Sequence, residues 1–267
     1  MKENSIGVGI TTCNRADMLG VLIDSLDKCD VSEIIIINDG DEPVDQSIRN
    51  DQETVLINND ENLGVGKCKN MLLQRLFDSG HEHIFLIEDD MKIVDPNIFD
   101  IYIGVAEHTG LLHLNFCLHG EDNKKNGVAN PKLIVDYGDV SVSLYHNIYG
   151  ALSYYHRSVI DQIGLMDEGY MNAMEHVDHT MQVIKAGYHP PFRWFADVTN
   201  SDKLITEQDN NHSDSVIRKD QEWINNFKHG VERFYHKFDI NVCSNNQQCA
   251  DKEQVIQSLK RIKTGDG

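Results

Sequence analysis

The stretch His83–Met91 reads HIFLIEDDM, a short apolar run that ends in three adjacent carboxylates. A short apolar run bounded by polar residues predicts a buried strand of a parallel sheet that is covered on both faces. Ligands of such sheets bind beyond the carboxyl ends of the strands. Three carboxylates repel one another there unless a cation or protons neutralise them, so a hard divalent metal is the expected ligand.

Two of these carboxylates are the predicted metal ligands. Glu88 and Asp90 are two positions apart and should leave the strand end on the same side, whereas Asp89 should face elsewhere. The alternative interpretation is a solvated acidic turn before a helix, with Asp95 near the next helix cap.

The composition indicates a soluble globular protein. The chain has 267 residues, of which 40% are hydrophobic and 25% are charged, and this length provides ample core for one large domain or two small ones. No apolar run approaches the roughly 18 residues that a membrane span needs. The N-terminus leads directly into a strand-like segment, which predicts no signal peptide. Six scattered cysteines without a CxxC pair favour a reduced, cytoplasmic protein.

The charge balance restricts the partners. Lys and Arg number 24 against 43 Asp and Glu, which gives a formal net charge of −19. Such a field opposes general binding to nucleic acid and to anionic membrane surfaces. A phosphorylated ligand would therefore need a metal or a local basic pocket.

The order of apolar patterns predicts an α/β fold. Strand-like runs at 6–12, 33–37, 54–57 and 83–87 alternate with helical patterns at 18–26 and 64–77. This alternation, which continues to about residue 118, predicts βαβ units and a mainly parallel sheet.

The pattern changes after residue 117. A polar segment at 119–130 is predicted to be a mobile loop, and alternation over 133–145 predicts a hairpin. A further strand is expected within 148–155, an extended edge segment at 190–195, and helices within 159–163, 171–186, 215–237 and 251–263.

Four polar stretches follow these strands in a characteristic order. They are Thr11–Arg15 (TTCNR), Asn38–Gly40 (NDG), Asn62–Asn70 (NLGVGKCKN) and Glu88–Asp90 (EDD). In this order they resemble the nucleotide-diphospho-sugar glycosyltransferases of the GT-A fold, especially family 2, whose motifs read approximately T-x-x-R, N-D-G, N-x-G-x-x-x-A-R-N and D-x-D. The resemblance covers about residues 6–190. Here Glu replaces the first Asp of D-x-D, and Lys69 replaces the Arg.

The resemblance implies a donor site at the strand ends and a metal beside it. The loop after the first strand and Asp39 would hold the base and ribose of a UDP-sugar, and Glu88 and Asp90 would hold Mg²⁺ or Mn²⁺ against the diphosphate. The residues assigned to donor binding are Thr11, Thr12, Asn14, Arg15, Asp39, Asn62, Gly64, Lys69 and Asp89. The structural alternatives are a simple Asp-Gly turn at Asp39, ordinary helix capping at 62–64, and a solvated Lys69.

The resemblance continues into a second group of motifs, Tyr149–Ser153 (YGALS), Gly164–Glu168 (GLMDE) and Met174–Asp178 (MEHVD). In related enzymes the third motif is similar to E-D-x-D, and the Asp after the Glu is the general base on the acceptor hydroxyl. His176 occupies that position here, and a neutral imidazole can also take a hydroxyl proton.

The acceptor-side candidates are therefore His176 as base, with Glu175 or Asp178 raising its basicity or replacing it. A structural histidine at a helix start is the alternative. A zinc site on His176 and His179 is a further hypothesis, although their order is not that of the H-E-x-x-H motif.

One further histidine enters by resemblance. In several GT-A enzymes a downstream histidine is the third protein ligand of the metal, and His212 follows an acidic, amide-rich loop here. An exposed loop histidine is the equal alternative.

These observations predict a GT-A, three-layer α/β sandwich with a mainly parallel central sheet and C-terminal helices. Residues 1–213 would form the glycosyltransferase domain, divided into a nucleotide-binding half (1–118) and an acceptor-binding half (119–213), and 214–267 a helical extension. The predicted activity is metal-dependent transfer of a sugar from a UDP-sugar to an acceptor hydroxyl, with inversion and with a glycan as the leading acceptor. A nucleotidyltransferase of related fold would need a Gly-rich loop after the first strand, and none occurs within Thr11–Arg15. A non-catalytic sugar-nucleotide or glycan-binding relative is the third hypothesis, because His176 replaces the usual base.

Overall fold

A computed structural model describes residues 2–45, 47–48, 53–208, 223–244 and 249–265. Its first half alternates strands and helices. The elements are β1 (Lys2–Thr12), α1 (Ala16–Leu26), β2 (Glu33–Asn38), β3 (Thr54–Asn58), α2 (Val65–Asp78), β4 (His81–Glu88), β5 (Met91–Ile93) and α3 (Ile98–Thr109).

The second half is richer in short strands. The elements are β6 (His113–Asn115), β7 (Lys124–Lys125), β8 (Val128–Ala129), β9 (Leu133–Asp136), β10 (Ser141–Tyr145), β11 (Leu152–His156), α4 (Arg157–Ile163), α5 (Glu175–Lys185), β12 (Phe195–Val198), a 3₁₀ turn (Ser201–Lys203), β13 (Ile205–Glu207), α6 (Trp223–Phe238) and α7 (Lys252–Thr264).

A six-stranded sheet organises the molecule, with the strand order β3-β2-β1-β4-β11-β6. The first four strands in this order are parallel, and β11 runs antiparallel to both of its neighbours. The strands β2 and β4 are buried on both faces because their side chains are apolar on both faces, and helices cover the sheet. The mainly parallel α/β sheet predicted from the sequence is thus confirmed.

The register brings the polar strand ends to one edge. Thr11 lies opposite both Ile37 of β2 and Glu88 of β4, and Thr12 lies opposite Asn38. The backbone N–H groups of Asp39 and Asp89 then donate to the carbonyl oxygens of Thr12 and Thr11, at 2.9 and 3.3 Å. Three of the motifs therefore meet at the carboxyl edge of the sheet.

A smaller sheet and a strand pair extend the second half. The antiparallel sheet β12-β10-β9 contains the predicted hairpin, and β13 pairs with β5 directly after the acidic strand end. Because of this pairing, the backbone N–H of Gln208 donates to the carbonyl of Asp90 at 2.8 Å.

Several predicted bounds differ from the structure. The helix predicted within 171–186 begins only at Glu175, because Met174 adopts a left-handed φ of 76°. The strand expected within 148–155 is β11, which starts at Leu152, and the segment at 119–130 contains the β7–β8 pair. In that segment the buried Asn123 donates to the carbonyls of Cys117 and Asn147, which anchors it. Of the helix predicted over 215–237, residues 215–222 lie outside the described part.

The two C-terminal helices pack on different parts of the chain, and Phe234 of α6 clusters with Tyr170 and Met174. Val255, Leu259 and Ile262 of α7 are buried in the same apolar cluster as α3. Among the described residues, none of the helices combines the length and the apolar character that crossing a membrane requires.

Candidate active site

A cleft at the carboxyl edge of the parallel strands collects most of the predicted donor-binding residues. Its walls are formed by Thr11, Thr12, Cys13, Arg15, Asp39, Asn62, Gly64, Val65, Cys68, Glu88 and Asn172. We call this the donor-side cleft. Of the predicted donor-binding residues, Asn14, Lys69 and Asp89 are not among its walls.

Arg15 and Thr12 hold the two aspartates that follow β4. Asp89 is fully buried and accepts from the Thr12 hydroxyl at 2.6 Å and from Arg15 Nε at 3.2 Å, with Arg15 Nη2 also in contact. Arg15 Nη1 donates to Asp90 Oδ2 at 3.1 Å. One guanidinium therefore bridges two carboxylates, and we call this the Arg15 cluster.

Burial raises the pKa of Asp89 to about 7, against the opposing effect of Arg15. Burial, together with the neighbouring Glu88, also raises the pKa of Asp90. The positive charge of Arg15 is therefore not enough to balance the negative charges of both aspartates.

Asp39 organises the loop that leads into α2. Its carboxylate accepts from the backbone N–H groups of Leu63 and Gly64, both at 2.8 Å, and from the side-chain amide of Asn59 at 2.7 Å. Asn62 in turn donates to the carbonyl of Asp39 at 2.8 Å. A carboxylate has about four lone-pair positions, so three bonds leave one for a ligand. Asp39 therefore organises this loop and also lines the donor-side cleft, and its role in donor binding stays a prediction.

Asn14 has a structural contact of its own. Its side-chain oxygen accepts from the backbone N–H of Asp41 at 3.0 Å, which ties the loop after β1 to the loop after β2. A Cβ at Gly40 would lie 2.4 Å from that oxygen, which explains the glycine after Asp39.

Lys69 lies in a different place from the one predicted. Its side chain is 2% exposed, and its ammonium donates to Glu88 Oε1 at 2.8 Å, to Glu175 Oε1 at 3.1 Å and to the carbonyl of Gly150 at 3.4 Å. All three of its N–H donors are engaged, so Lys69 is neither solvated nor free to bind a diphosphate. We call this arrangement the Lys69 cluster.

His176 joins the same cluster. Its Nδ1 lies 3.1 Å from Glu175 Oε1, and because a carboxylate only accepts, Nδ1 carries the proton and Nε2 keeps its lone pair. Although burial alone would raise the pKa of Glu175, the nearby Lys69 and His176 hold it well below its ordinary value. Glu175 is therefore ionised, and its lowered pKa makes it a weak base, which fits an orienting role.

The convergence of these groups depends on Gly150. A Cβ at this position would lie 2.6 Å from Lys69 Nζ, 3.1 Å from Glu88 Oε1 and 3.3 Å from His176 Nδ1. Any side chain at this position would force at least Lys69 Nζ to shift.

A second cleft adjoins the first and shares Val65, Glu88 and Asn172 with it. We call it the acceptor-side cleft. Its remaining walls come from His119, Ile148, Tyr149, Gly150, Ala151, Ala173, Met174, Glu175, His176, Val177, Trp223 and Phe227. The rings of Trp223 and Phe227 stack at 5.3 Å with an angle of 12° between their planes.

Asp178 and His179 face other partners. Asp178 is buried and accepts from the hydroxyl of Tyr170 at 2.8 Å and from Lys237 of α6 at 2.6 Å. Both ring nitrogens of His179 are engaged, by the Tyr155 hydroxyl at 3.2 Å and the Gly164 carbonyl at 3.0 Å. Asp178 is therefore not brought to His176 by a hydrogen bond, and His179 has no nitrogen left for zinc.

The acidic end of β4 offers a fitting donor set for a divalent cation. Glu88 uses one carboxylate oxygen for Lys69, and Asp90 Oδ1 is buried without a hydrogen-bond partner in the described part of the chain. His119 Nε2 lies 3.9 Å from Asp90 Oδ2. Within the described ranges no three His, Cys, Asp or Glu side chains are grouped closely enough to hold a metal by themselves. The predicted third ligand, His212, lies outside the described residues.

Three features of the site were not assigned from the sequence. Two of them are proximities between distant segments, which no local sequence pattern predicts. His119 lies near Asp90, and Trp223 lines the same cleft as His176. The glycine of the YGALS stretch, Gly150, was the available signal for the Lys69 cluster, since a small residue beside two charged motifs predicts a close approach.

Comparisons with known proteins agree with this geometry at the level of the fold. No protein-family model matches the chain, and no curated protein sequence does. Among solved structures, S. aureus TarS 1–349 in complex with UDP superposes with a TM-score of 0.56 at 13% identity, over 97% of this chain and 80% of that one. A second structure of S. aureus TarS 1–349 gives 0.50 at 14% identity over the same shares.

A mannosyltransferase, PcManGT from Pyrobaculum calidifontis in complex with GDP-Man and Mn²⁺, gives a TM-score of 0.56 at 10% identity, over 98% of this chain and 68% of that one. In a further S. aureus TarS structure the match spans only 33% of that chain. These neighbours are glycosyltransferases, and the chain has their GT-A fold. The fold class expected from the motifs is confirmed.

Proposed function

We propose that the protein is a metal-dependent glycosyltransferase that moves a sugar from a UDP-sugar to an acceptor hydroxyl with inversion at the anomeric carbon. The observation that carries the proposal is that the two clefts meet at Glu88, with the strand-end motifs on one side and His176 on the other. The neighbours' complexes with UDP and with GDP-Man and Mn²⁺ support a nucleotide-sugar donor.

The donor-side cleft would hold the nucleotide. The remaining lone pair of Asp39 can accept the imide N–H of uracil, while Thr11, Thr12, Asn62 and Gly64 line the space beside it. Arg15 borders the same cleft and supplies the positive charge that a diphosphate needs on a chain of net charge −19. Asp89 and Asn14 act indirectly by holding Arg15 and the loop after β2.

Glu88 and Asp90 would hold the Mn²⁺ or Mg²⁺ ion. When bound, the cation neutralises charge that develops on the leaving nucleoside diphosphate. The chain's part would be to place Glu88 at the junction of the clefts. Asp90 follows two residues later, and its Oδ1 has no hydrogen-bond partner in the described part of the chain.

His176 is the proposed base. Its Nε2 takes the proton of the acceptor hydroxyl as the hydroxyl oxygen attacks the anomeric carbon, and the bond from that carbon to the phosphate oxygen breaks with its electron pair going to the diphosphate. Glu175 accepts the Nδ1 proton in a hydrogen bond and so fixes the tautomer that this step requires. The single displacement inverts the anomeric centre.

His212 remains proposed as a further metal ligand. The last described residue before it, Gln208, is bonded to the backbone of Asp90. An imidazole ligand favours Mn²⁺ over Mg²⁺, so His212→Ala should weaken Mn²⁺ binding and narrow that preference. Titrations of Mn²⁺ and Mg²⁺, followed by nucleotide release with and without acceptor, test this. Superimposable curves for wild type and variant would return His212 to an exposed loop residue.

The two halves of the chain would bind the two substrates. We assign residues 1–118 to donor binding and 119–213 to the acceptor, with 214–267 as an extension. Trp223 and Phe227 of that extension line the acceptor-side cleft, which indicates that it takes part in acceptor binding. A glycan is the proposed acceptor.

The deciding experiment is nucleotide release with Mn²⁺ and a panel of UDP- and GDP-sugars, followed by mass spectrometry of the products. One sugar nucleotide should support release that Asp90→Asn removes. Binding of a sugar nucleotide without release or transfer would instead identify a non-catalytic relative, and release of pyrophosphate from a nucleoside triphosphate and a sugar phosphate would identify a nucleotidyltransferase.

A further inference from the structure

Glu175 has one oxygen that the protein leaves without a partner. Its side chain is 2% exposed, and Oε1 accepts from both Lys69 and His176, at 3.1 Å each. Oε2 is equally buried and has no hydrogen-bond partner in the described part of the chain. A buried ionised carboxylate normally has its oxygens satisfied, so this one is unusual.

This residue lies in a position where a ligand can supply the missing donor. Glu175 lines the acceptor-side cleft together with His176. The nearby hydroxyl of Tyr149 already donates to Asp122 Oδ2 at 2.8 Å, so its proton is engaged elsewhere. The cleft is thus lined by two consecutive residues with acceptor atoms, His176 with Nε2 and Glu175 with Oε2.

We propose that Glu175 Oε2 binds a second hydroxyl of the acceptor, next to the one that attacks, so that the acceptor is a diol such as a sugar ring or a polyol. This inference rests on the proposed function. Two acceptor atoms in one cleft call for two O–H donors, which a diol offers and the single hydroxyl of a serine or threonine does not. Lys69 keeps Glu175 ionised, and an ionised carboxylate can only accept.

Two aromatic side chains of the same cleft favour a ring. The stacked Trp223 and Phe227 present flat apolar faces, and the C–H faces of a pyranose or furanose pack on such rings while its hydroxyl edge reaches polar groups. Glu175 is thus a specificity-determining residue, distinct from the base beside it.

The test compares acceptors that differ by one hydroxyl. The probes are methyl hexopyranosides, their monodeoxy counterparts, ribitol, and peptides containing serine or threonine, each with Mn²⁺ and the sugar nucleotide found by nucleotide release. In wild type, kcat/KM should fall by about 10- to 100-fold when the hydroxyl next to the attacking one is missing, the loss expected for one bond to a charged group. Peptides should not accept the sugar.

A variant assigns that loss to Glu175. In Glu175→Gln both probes should react slowly and at similar rates, because the carboxylate that distinguishes them is gone. Glu107→Gln, at an exposed glutamate on α3, is the matched control and should keep the wild-type difference between the probes. If Glu175→Gln does not fold, as judged by circular dichroism, the comparison of probes in wild type still decides.

Equal kcat/KM for a diol and its deoxy counterpart in wild type would overturn the inference, as would efficient transfer to a peptide hydroxyl. Donor hydrolysis without transfer to any diol counts against it too. In each of these cases sugar-nucleotide turnover persists, whereas absence of turnover with every donor would refute the proposed function itself.

Discussion

The three carboxylates at the end of β4 belong to two charge clusters, and the cations of these clusters differ in solvent exposure. In the Arg15 cluster, one guanidinium with a side chain 21% exposed bridges Asp89 and Asp90. In the Lys69 cluster, one ammonium with a side chain 2% exposed bridges Glu88 and Glu175. Both hold a cation between two carboxylates, but only the first lies on a loop that borders open space.

The two clusters therefore differ in the exposure and in the support of their cation. Arg15 comes from the loop after β1 and borders the donor-side cleft with a partly exposed side chain. Lys69 lies on the buried face of α2 with all its donors engaged, so its cluster is a fixed frame for His176. Asp89 and Asp90 thus belong to the Arg15 cluster on the loop, and the neighbouring Glu88 belongs to the Lys69 cluster on α2.

The largest effect on transfer is expected from a substitution in the Arg15 cluster. Asp90→Asn removes a metal-binding charge but leaves a side chain of the same size, so transfer should be nearly abolished while the fold persists. Turnover at saturating Mn²⁺ and circular dichroism measure the two effects. Asp100→Asn, at an exposed aspartate on α3, is the control. Near-normal turnover would remove Asp90 from the metal site.

His176→Ala should lower kcat by about 10²- to 10⁴-fold with little change in donor KM, because a lost base affects only the transition state. The pH–rate profile should lose its acidic limb, since protonation of the imidazole no longer matters. His229→Ala, at an exposed histidine on α6, should leave both unchanged. Persistence of the acidic limb in His176→Ala would transfer the role of base to another group.

Lys69→Met tests how much the buried ion pairs of the Lys69 cluster contribute to the free energy of unfolding. It leaves two carboxylates without their cation, one of them buried, and should lower the free energy of unfolding by about 3–5 kcal/mol. Arg15→Met should cost less near pH 7, because burial already raises the pKa of Asp89 to about 7 and protonation is then cheap. Urea denaturation of the two variants at pH 7 gives the comparison, and equal losses would show that the clusters do not differ.

The smallest effect is expected at Asp39, which lies at the far side of the donor-side cleft. Asp39→Ala should raise the donor KM more than it lowers kcat, since base recognition is shared by ground and transition states. The bond to the base is expected to contribute about 1.5–3 kcal/mol. The variant also loses the three bonds that hold the loop before α2, so the free energy of unfolding is measured alongside. Steady-state kinetics in the donor measure the change in KM, with Asp41→Ala as the neighbouring control, and an unchanged KM would assign Asp39 to the loop alone.

The sequence was sufficient for the sheet and for the order of its polar ends. Buried parallel strands are apolar on both faces, and the residues after them must meet at one edge, so Thr12, Asp39 and Glu88 could be placed together. The role of Lys69 could not, because a lysine near a helix N-terminus has the same sequence pattern whether it faces solvent or a carboxylate.

The acceptor side was predictable only in part. His176 was identified from its position in a motif. The start of α5 was predicted several residues too early, because the spacing of apolar residues does not indicate that Met174 adopts a left-handed conformation. Lys237 of α6, one of the two partners of Asp178, lies 59 positions away, and periodicity carries no information on such pairings.

Position 150 shows how little separates an active site from a binding site. The gap left by the missing side chain of Gly150 is where Lys69, Glu88 and His176 come together. A single methyl group there would meet Lys69 Nζ, Glu88 Oε1 and His176 Nδ1 and force at least one of them to move. We therefore expect one alanine at this position to impair transfer more than donor binding.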